Sequence, residues 1–219
     1  GSYVKIGQMM ALLGEHFLPS PLVAALRDLH DATEPVSYEQ LLPLVRKIPN
    51  FDALEVDPNP LAAASLSQVH RARIKSTGQE LVLKIQYPGL ADTIDTDFDA
   101  VVKMLTVARW LRSGRELDAW MQALREQLHL EVDYGREALA TIKMREQLES
   151  NPSSSNCLVS VPSVYSQYST GQVLAMSYEQ GVSVDCVELA KLSLARRNAL
   201  AEAMLELFFK ELYTWGVLQ

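Results

Sequence analysis

Hydrophobic periodicity changes twice along this chain, and that constrains its fold more than any single motif. Up to about Asn50 apolar residues recur at helical spacing. From Leu54 to Tyr87 the pattern is that of strands, and beyond Pro88-Gly89 the helical spacing returns. The strand stretches are LEVD, QVHRARI and ELVLKIQY, with KSTG (Lys75 to Gly78) as a hairpin turn between the second and third. LVSVPSVY and GQVLAMSY read as two more short strands. An α+β fold follows, with about five short antiparallel strands and a helical insertion after the third. Many α+β domains share that order.

The helices carry their own punctuation. YVKIGQMMALLGEHF places Ile6, Met9, Met10, Leu13 and Phe17 on one face. LPSPLVAALRDLHD offers Ser20 as an N-cap and Pro21 at the first helical position. SYEQ has Ser37 and Gln40 at capping-box spacing. DTIDTDFDAVVKMLTVARWLRSG begins acidic and ends Arg-rich before Gly114, matching a helix dipole, with an apolar stripe at Ile94, Phe98, Val101, Leu105 and Ala108. A long helical stretch, RELDAWMQALREQLHLEVDYGREALATIKMREQLES, leads to the polar loop Asn151 to Asn156. From about Val184 to Trp215 the chain is helical and apolar.

Composition narrows the function classes. At 219 residues and 48% hydrophobic the chain can bury a sizeable core. Its net charge of −7 argues against a nucleic-acid partner, which needs a basic face. Cys157 and Cys186 form no C-x-x-C pair, so a reduced compartment is expected. The four histidines show no metal-ligand spacing. No run reaches ~18 uninterrupted apolar residues, so no membrane span is expected, and no basic-then-apolar leader opens the chain.

Several residues stand out as candidates for chemistry. In LVLKIQ, Leu81, Leu83 and Ile85 share one strand face, while Val82, Lys84 and Gln86 share the other. Lys84 is either a solvated lysine or a point charge for phosphate. Ahead of the hairpin, NPLAAASLSQVHRA offers three alanines where a phosphate cradle usually has glycine. Along the following helix the stripe Leu117, Met121, Leu124, Leu128 continues at Glu131, and a second runs Leu130, Tyr134, Glu137, Thr141, Met144, Leu148. If the helix continues, Glu131 and Glu137 point towards the core, where a carboxylate needs a cation or a proton. Asp133 lies on the same face as Glu137. The alternative is a break near Val132 with the acids facing water. In the first helix Lys5 and Gln8 share a face with Leu12, and Gly7 between them costs ~1 kcal/mol of helix propensity against Ala, which hints at close packing there. Neither G-x-S-x-G, G-x-G-x-x-G nor a Walker loop is present.

Together these residues resemble the UbiB/AarF-domain family of atypical, protein-kinase-like proteins. KIGQ (Lys5 to Gln8) is similar to its K-x-G-Q signature, and AAASLSQVH (Ala62 to His70) to its alanine-rich loop. LVLKIQYPG carries the strand-three lysine, EVD (Glu131 to Asp133) resembles the E-x-D motif, and Glu137 stands at the ion-pair glutamate of helix C. GQVLAMSYEQG resembles strand five and the hinge. The combination of IQYPG and EVDYGREA is closest to the branch tied to ubiquinone (coenzyme Q) biosynthesis. Two departures are Ala140, where many relatives have Asn, and Ser177, where they have an acid.

The resemblance implies a kinase-like N-lobe at 51–180, an N-terminal helical K-x-G-Q extension at 1–50 folded over the site, and the start of a helical C-lobe at 181–219. It implies ATP or ADP as ligand. Ala62, Ala63, Ala64 and Ser65 would lie over the phosphates, Lys84 would contact them and pair with Glu137, and Lys5 and Gln8 would meet Glu131 and Asp133. Met176 would be the gatekeeper, with Ser177 and Glu179 holding adenine through the backbone. Relatives continue beyond TWGVLQ into a catalytic loop and a metal-binding Asp, so Mg²⁺ is expected only with that continuation. The implied activity of the intact protein is that of an ATPase, or a kinase of a small molecule or lipid. The rival is a non-catalytic pseudokinase, scaffold or lipid-binding chaperone of a biosynthetic complex. The implied setting is the bacterial cytoplasm or mitochondrial matrix, peripheral to a membrane, with lipid or ubiquinone-biosynthesis proteins as partners.

Overall fold

Alternation in ELVLKIQ becomes strand β3 (Glu80–Gln86), an inner strand of a four-stranded antiparallel sheet in the computed structural model, which describes residues 2–13, 18–27, 34–108, 115–151 and 157–217. Its neighbours are β2 (Ser67–Ile74) and β4 (Val173–Ser177), and β1 (Leu54–Ala63) pairs with the far side of β2. Lys84 lies opposite Val69 on β2 and Leu174 on β4. Residues directly opposite share a sheet face, so one face carries Val82, Lys84, Gln86, Leu174 and Met176. The other carries Leu81, Leu83 and Ile85, which are fully buried with Ala72, Ile74, Val173 and Ala175 against Leu41, Leu44 and Val45 of helix α3 (Tyr38–Val45). That helix starts where its sequence punctuation predicts, and the Ser37 N–H donates to Gln40 Oε1 at 3.3 Å.

Two polar side chains, Gln68 and His70, are wholly buried on the core face. The Gln68 carboxamide pairs with the Val36 backbone like a short piece of sheet: Val36 N–H donates to Oε1 at 3.0 Å and Nε2 donates to the Val36 carbonyl at 3.2 Å. That fixes the amide orientation, so Nε2 also donates to His70 Nε2 at 2.9 Å, and His70 Nδ1–H donates to the Asp57 carbonyl at 2.8 Å. Every buried polar atom of the pair is satisfied, as burial demands.

A second apolar cluster joins helices α1 (Ser2–Leu13), α2 (Ser20–Arg27), α4 (Leu90–Val107) and α5 (Arg115–Glu131). Ile6, Met9, Met10 and Ala11 of α1 pack with Ile94, Phe98 and Leu105 of α4 and Leu124 and Leu128 of α5. Gly7 is buried, in keeping with close packing around α1. Ser2 bonds Asp97, fastening the start of α1 to α4. Gly89, in the left-handed region at φ 73°, turns the chain from the sheet into α4.

Several expectations are corrected. Among the described residues the sheet has four strands rather than about five, because in LVSVPSVY only Val164 forms a bridge. Pro162 has no N–H for a ladder, and Leu158 is 95% exposed. β1 is longer than LEVD: it runs through Pro58 and Pro60 to Ala63, with register shifts between Val56 and Pro60 and between Pro60 and Ala62. An edge strand with bulges tolerates those prolines. The long helix breaks at Val132–Asp133 into α5 and α6 (Tyr134–Ser150). The α2 N-terminus sits one residue early, with Leu22 and Val23 N–H both donating to the Pro19 carbonyl. Phe17, the Arg-rich run to Gly114 and loop residues 152–156 lie outside the described residues.

The chain divides into two compact units, residues 1–138 with 165–177, and residues 139–164 with 178–219. The second unit holds most of α6, the short α7 (Val187–Ala190), α8 (Leu194–Phe209) and a π-helical turn, Lys210–Trp215. Ser193 caps α8 by accepting from Arg196 N–H at 3.4 Å, and Arg145 bonds Glu149 and Ser163.

Candidate functional site

The site face of the sheet and the break between α5 and α6 bring the predicted ionic residues together in pairs. Lys84 Nζ donates to both Glu137 oxygens, each at 2.7 Å. Glu137 stands on the first turn of α6, where a carboxylate also suits the helix dipole. The two side chains are 28% and 35% exposed, so water and ligand can reach a pair whose backbones are fixed by β3 and α6. Six residues earlier, Glu131 closes α5 and accepts from Lys5 Nζ of α1 at 2.9 Å. Gln8, on the same face of α1, is half-buried and partnered.

The acids reach the site in a different way from the one the helical stripes imply. Both stripes assume one continuous helix. Here Leu130 is 39% exposed, while Tyr134 restarts the helix fully inside, at 2%. Asp133 is the cap between them: its Oδ1 accepts from Arg136 N–H at 3.0 Å and its carbonyl from Glu137 N–H at 3.1 Å. The break itself is held from the sheet, since buried Gln86 donates through Nε2 to the Val132 carbonyl. Breaking the helix leaves Asp133 exposed as the cap, but it turns Glu131 towards Lys5 and Glu137 towards Lys84.

Three residues at the site escaped the sequence reading. Tyr134 places its ring 4.9 Å from Lys84 Nζ. Burial pushes its phenol well above the ordinary range, the neighbouring Ser67 works against that, and the charges of Glu137 and Glu131 add to the rise. Ser67 opens β2 directly after the alanine-rich stretch, and Gln86 sits across from it. Alternation along β3 already puts Gln86 on the face of Lys84, which is the one signal the sequence offered for it.

Alanines 62 and 63 are strand rather than loop, opposite Val69 and Gln68. The turn is short: Ala64 N–H donates to the Ser67 carbonyl at 2.8 Å, leaving Ser65 and Leu66 at its tip. Tyr87 N–H donates to the Leu66 carbonyl at 3.1 Å and fastens the turn to the end of β3. Asn50 is the only non-glycine residue at positive φ among the described residues, so this turn is made without the left-handed conformation that alanine resists. The backbone N–H groups of Ser65 and Leu66 have no partner among the described residues, and Ala62, Ala63 and Ala64 are exposed.

On the same sheet face, buried Val82 and Leu174 and half-buried Met176 form an apolar strip beside Lys84. Met176 lies opposite Val82, and Ser177 ends β4 opposite Leu81. Glu179, beyond the strand, is exposed and belongs to the second unit. A cation, unpartnered N–H donors and an apolar strip are the chemistry a nucleotide requires. Among the described residues no group of three or more His, Cys, Asp or Glu side chains could hold a metal ion.

Comparison with known proteins gives the family. Residues 29–219 match the ABC1 atypical kinase-like domain. The chain belongs to that family. It is 31% identical to the atypical kinase COQ8, mitochondrial, of Saccharomyces cerevisiae, over all of this chain and 43% of that protein. The atypical kinase coq-8, mitochondrial, of Caenorhabditis elegans is 32% identical over all of this chain and 28% of that protein. The chain thus spans less than half the length of the curated relatives it matches. Among solved structures, the Rv3197–erythromycin complex from Mycobacterium tuberculosis is similar with a TM-score of 0.51 at 25% identity, covering 78% of this chain and 41% of that one. The UbiB/AarF resemblance and the kinase-like fold expected from it agree with these findings. The K-x-G-Q helix α1 precedes the matched domain.

Proposed function

We propose that this chain is the nucleotide-binding part of an atypical kinase-like protein whose intact form hydrolyses ATP in support of ubiquinone biosynthesis at a membrane surface. One observation carries the reading: Lys84 is held by both oxygens of Glu137 on the sheet face that the core does not use. Kinase-like sites use such a pair to steer a lysine onto the α and β phosphates. The Ser65 and Leu66 N–H groups supply further phosphate donors, and the strip of Val82, Leu174 and Met176 supports the adenine, with Ser177 at the end of that strand. Lys5 and Gln8 serve as part of the site through Glu131, with Asp133 holding the helix start from which Glu137 projects. The organisation that goes with this is a helical extension at 1–50, a lobe at 51–180 and the start of a helical lobe at 181–219. Mg²⁺ ligands belong to sequence beyond this chain. The mitochondrial names of the yeast and nematode relatives support a setting beside an organellar or bacterial membrane, and no helix among the described residues is long and apolar enough to cross one.

Nucleotide-induced stabilisation of the intact protein tests the reading. ADP or ATP at 100 times its Kd adds about 2.7 kcal/mol. Lys84→Ala should abolish the shift, while Lys75→Ala, at an exposed lysine bonded to the Asp52 carbonyl, should keep it. Equal behaviour of the two variants overturns the site. Phosphate release from ATP tests the hydrolytic part separately: binding without release makes the protein a nucleotide-gated scaffold.

A further inference from the structure

We infer that Gln86 is a positioning residue: it ties the helix break at Val132–Asp133 to strand β3 and so keeps Glu137 on Lys84. This role rests on the nucleotide reading of the site and deepens it. Kinase-like sites need their lysine–glutamate pair in place, and the position of the glutamate's helix decides whether it is. Gln86 fixes that position from within the sheet.

Two links join β3 to the start of α6. Lys84 reaches Glu137, and Gln86, on the same sheet face, reaches the Val132 carbonyl through Nε2. One link alone would let the helix start pivot about it; a second beside it removes that freedom. The ion-pair side chains are 28% and 35% exposed, whereas Gln86 is 1% exposed, so water competes far less for the amide link. The strand holds Gln86 in turn, since its backbone N–H donates to the Gln172 carbonyl at 3.0 Å.

The amide orientation follows from the Val132 bond. A carbonyl only accepts, so Nε2 faces Val132 and Oε1 faces away, buried and without a hydrogen-bond partner among the described residues. A side chain serving only to pack would be apolar here, because Met has the same length and no oxygen to leave unpaired. What the amide alone provides is the hold on Val132. That residue precedes Asp133, whose side chain and carbonyl cap the helix from which Glu137 projects.

The test is a double-mutant cycle on nucleotide affinity in the intact protein, measured with ADP and with a non-hydrolysable ATP analogue, well below the melting temperature of every variant. Gln86→Met keeps the length and loses the amide; Gln86→Asn keeps the amide but stops one methylene short of Val132. Each should raise Kd by about threefold to tenfold. In a Glu137→Ala background, where the helix delivers no carboxylate to Lys84, the same changes should raise Kd by less than about twofold. A merely structural role would weaken binding equally in both backgrounds. If Gln86→Met fails to fold, Gln86→Asn still decides. Unchanged affinity in the Gln86 variants, or equal losses with and without Glu137, overturns the inference while leaving the nucleotide reading intact. Unchanged affinity in Lys84→Ala removes the nucleotide reading itself, and this role of Gln86 with it.

Discussion

Strand β3 puts two kinds of chemistry back to back. Leu81, Leu83 and Ile85 are fully buried against α3, while Val82, Lys84 and Gln86 point the other way, towards α6 and the break before it. The core face is closed in every respect, including its two polar residues. The site face is left partly open: the Lys84–Glu137 pair is about one-third exposed, and the buried Gln86 Oε1 has no hydrogen-bond partner among the described residues. One face spends its side chains on stability, and the other leaves polar groups accessible or unsatisfied. Adjacent residues of a single strand should therefore fail in opposite ways. The largest expected effect is on the closed side, where Leu83→Ala should cost about 2–5 kcal/mol in chemical denaturation. A loss under ~1 kcal/mol would show that the core relaxes around the cavity and that the two faces are less distinct than their burial implies.

The polar pair of the core face gives the next test. Gln68→Leu keeps the volume but leaves Val36 N–H and carbonyl, together with His70 Nε2, without their partner. Leaving buried groups unsatisfied costs about 1–3 kcal/mol, read as a lower denaturation midpoint with an unchanged slope. A neutral outcome would mean that water enters between α3 and the sheet, and that the core face is not dry.

On the site side the corresponding probe is alkaline pH. Tyr134 is held neutral chiefly by burial, so its phenol ionises above the ordinary value of about 10. Its contribution to stability is complete below that value, where folded and unfolded chains both keep the proton. As pH rises further, the unfolded chain ionises first and the contribution is lost. Tyr134→Phe should flatten the alkaline limb of the stability profile without abolishing it, because burial shifts Tyr87 and Tyr38 the same way. An unaltered limb would mean that the Tyr134 site opens to water before the rest of the fold does.

What the sequence disclosed follows the same division. Period-two alternation told the two faces of β3 apart, and capping and turn residues located α3 and the Lys75–Gly78 hairpin, because all of these are local signals. The strand count failed at LVSVPSVY, where β-branched residues outweighed Pro162, and β1 was cut short by giving Pro58 and Pro60 the weight they carry in inner strands. Whether a strand is an edge depends on the rest of the sheet. The helix break at Val132–Asp133 was open to reading, since Asp133 is a good N-cap residue, but the stripes on either side happened to run on in phase. Lys84 and Glu137 were named as partners through family resemblance, and their 2.7 Å contact spans 53 residues that no periodicity links.

Removing Lys84 should be the mildest change of all in the ligand-free protein, although it is the most damaging for nucleotide. Lys84→Met keeps the aliphatic stem and deletes only the ammonium that lies over the Tyr134 ring. Glu137 then loses the ammonium, but 35% of its side chain is exposed to water, and a pair this accessible contributes about 0–1 kcal/mol. Urea denaturation without nucleotide should therefore place Lys84→Met within ~1 kcal/mol of the parent, far less than Leu83→Ala one residue away. Adding ADP should then separate parent from variant, because only the parent gains stability from the ligand. A loss of about 3 kcal/mol without nucleotide, the scale for orphaning a buried charge, would reverse the assignment. Lys84 would then be a structural counter-ion for Glu137, and the two faces of β3 would serve the same purpose.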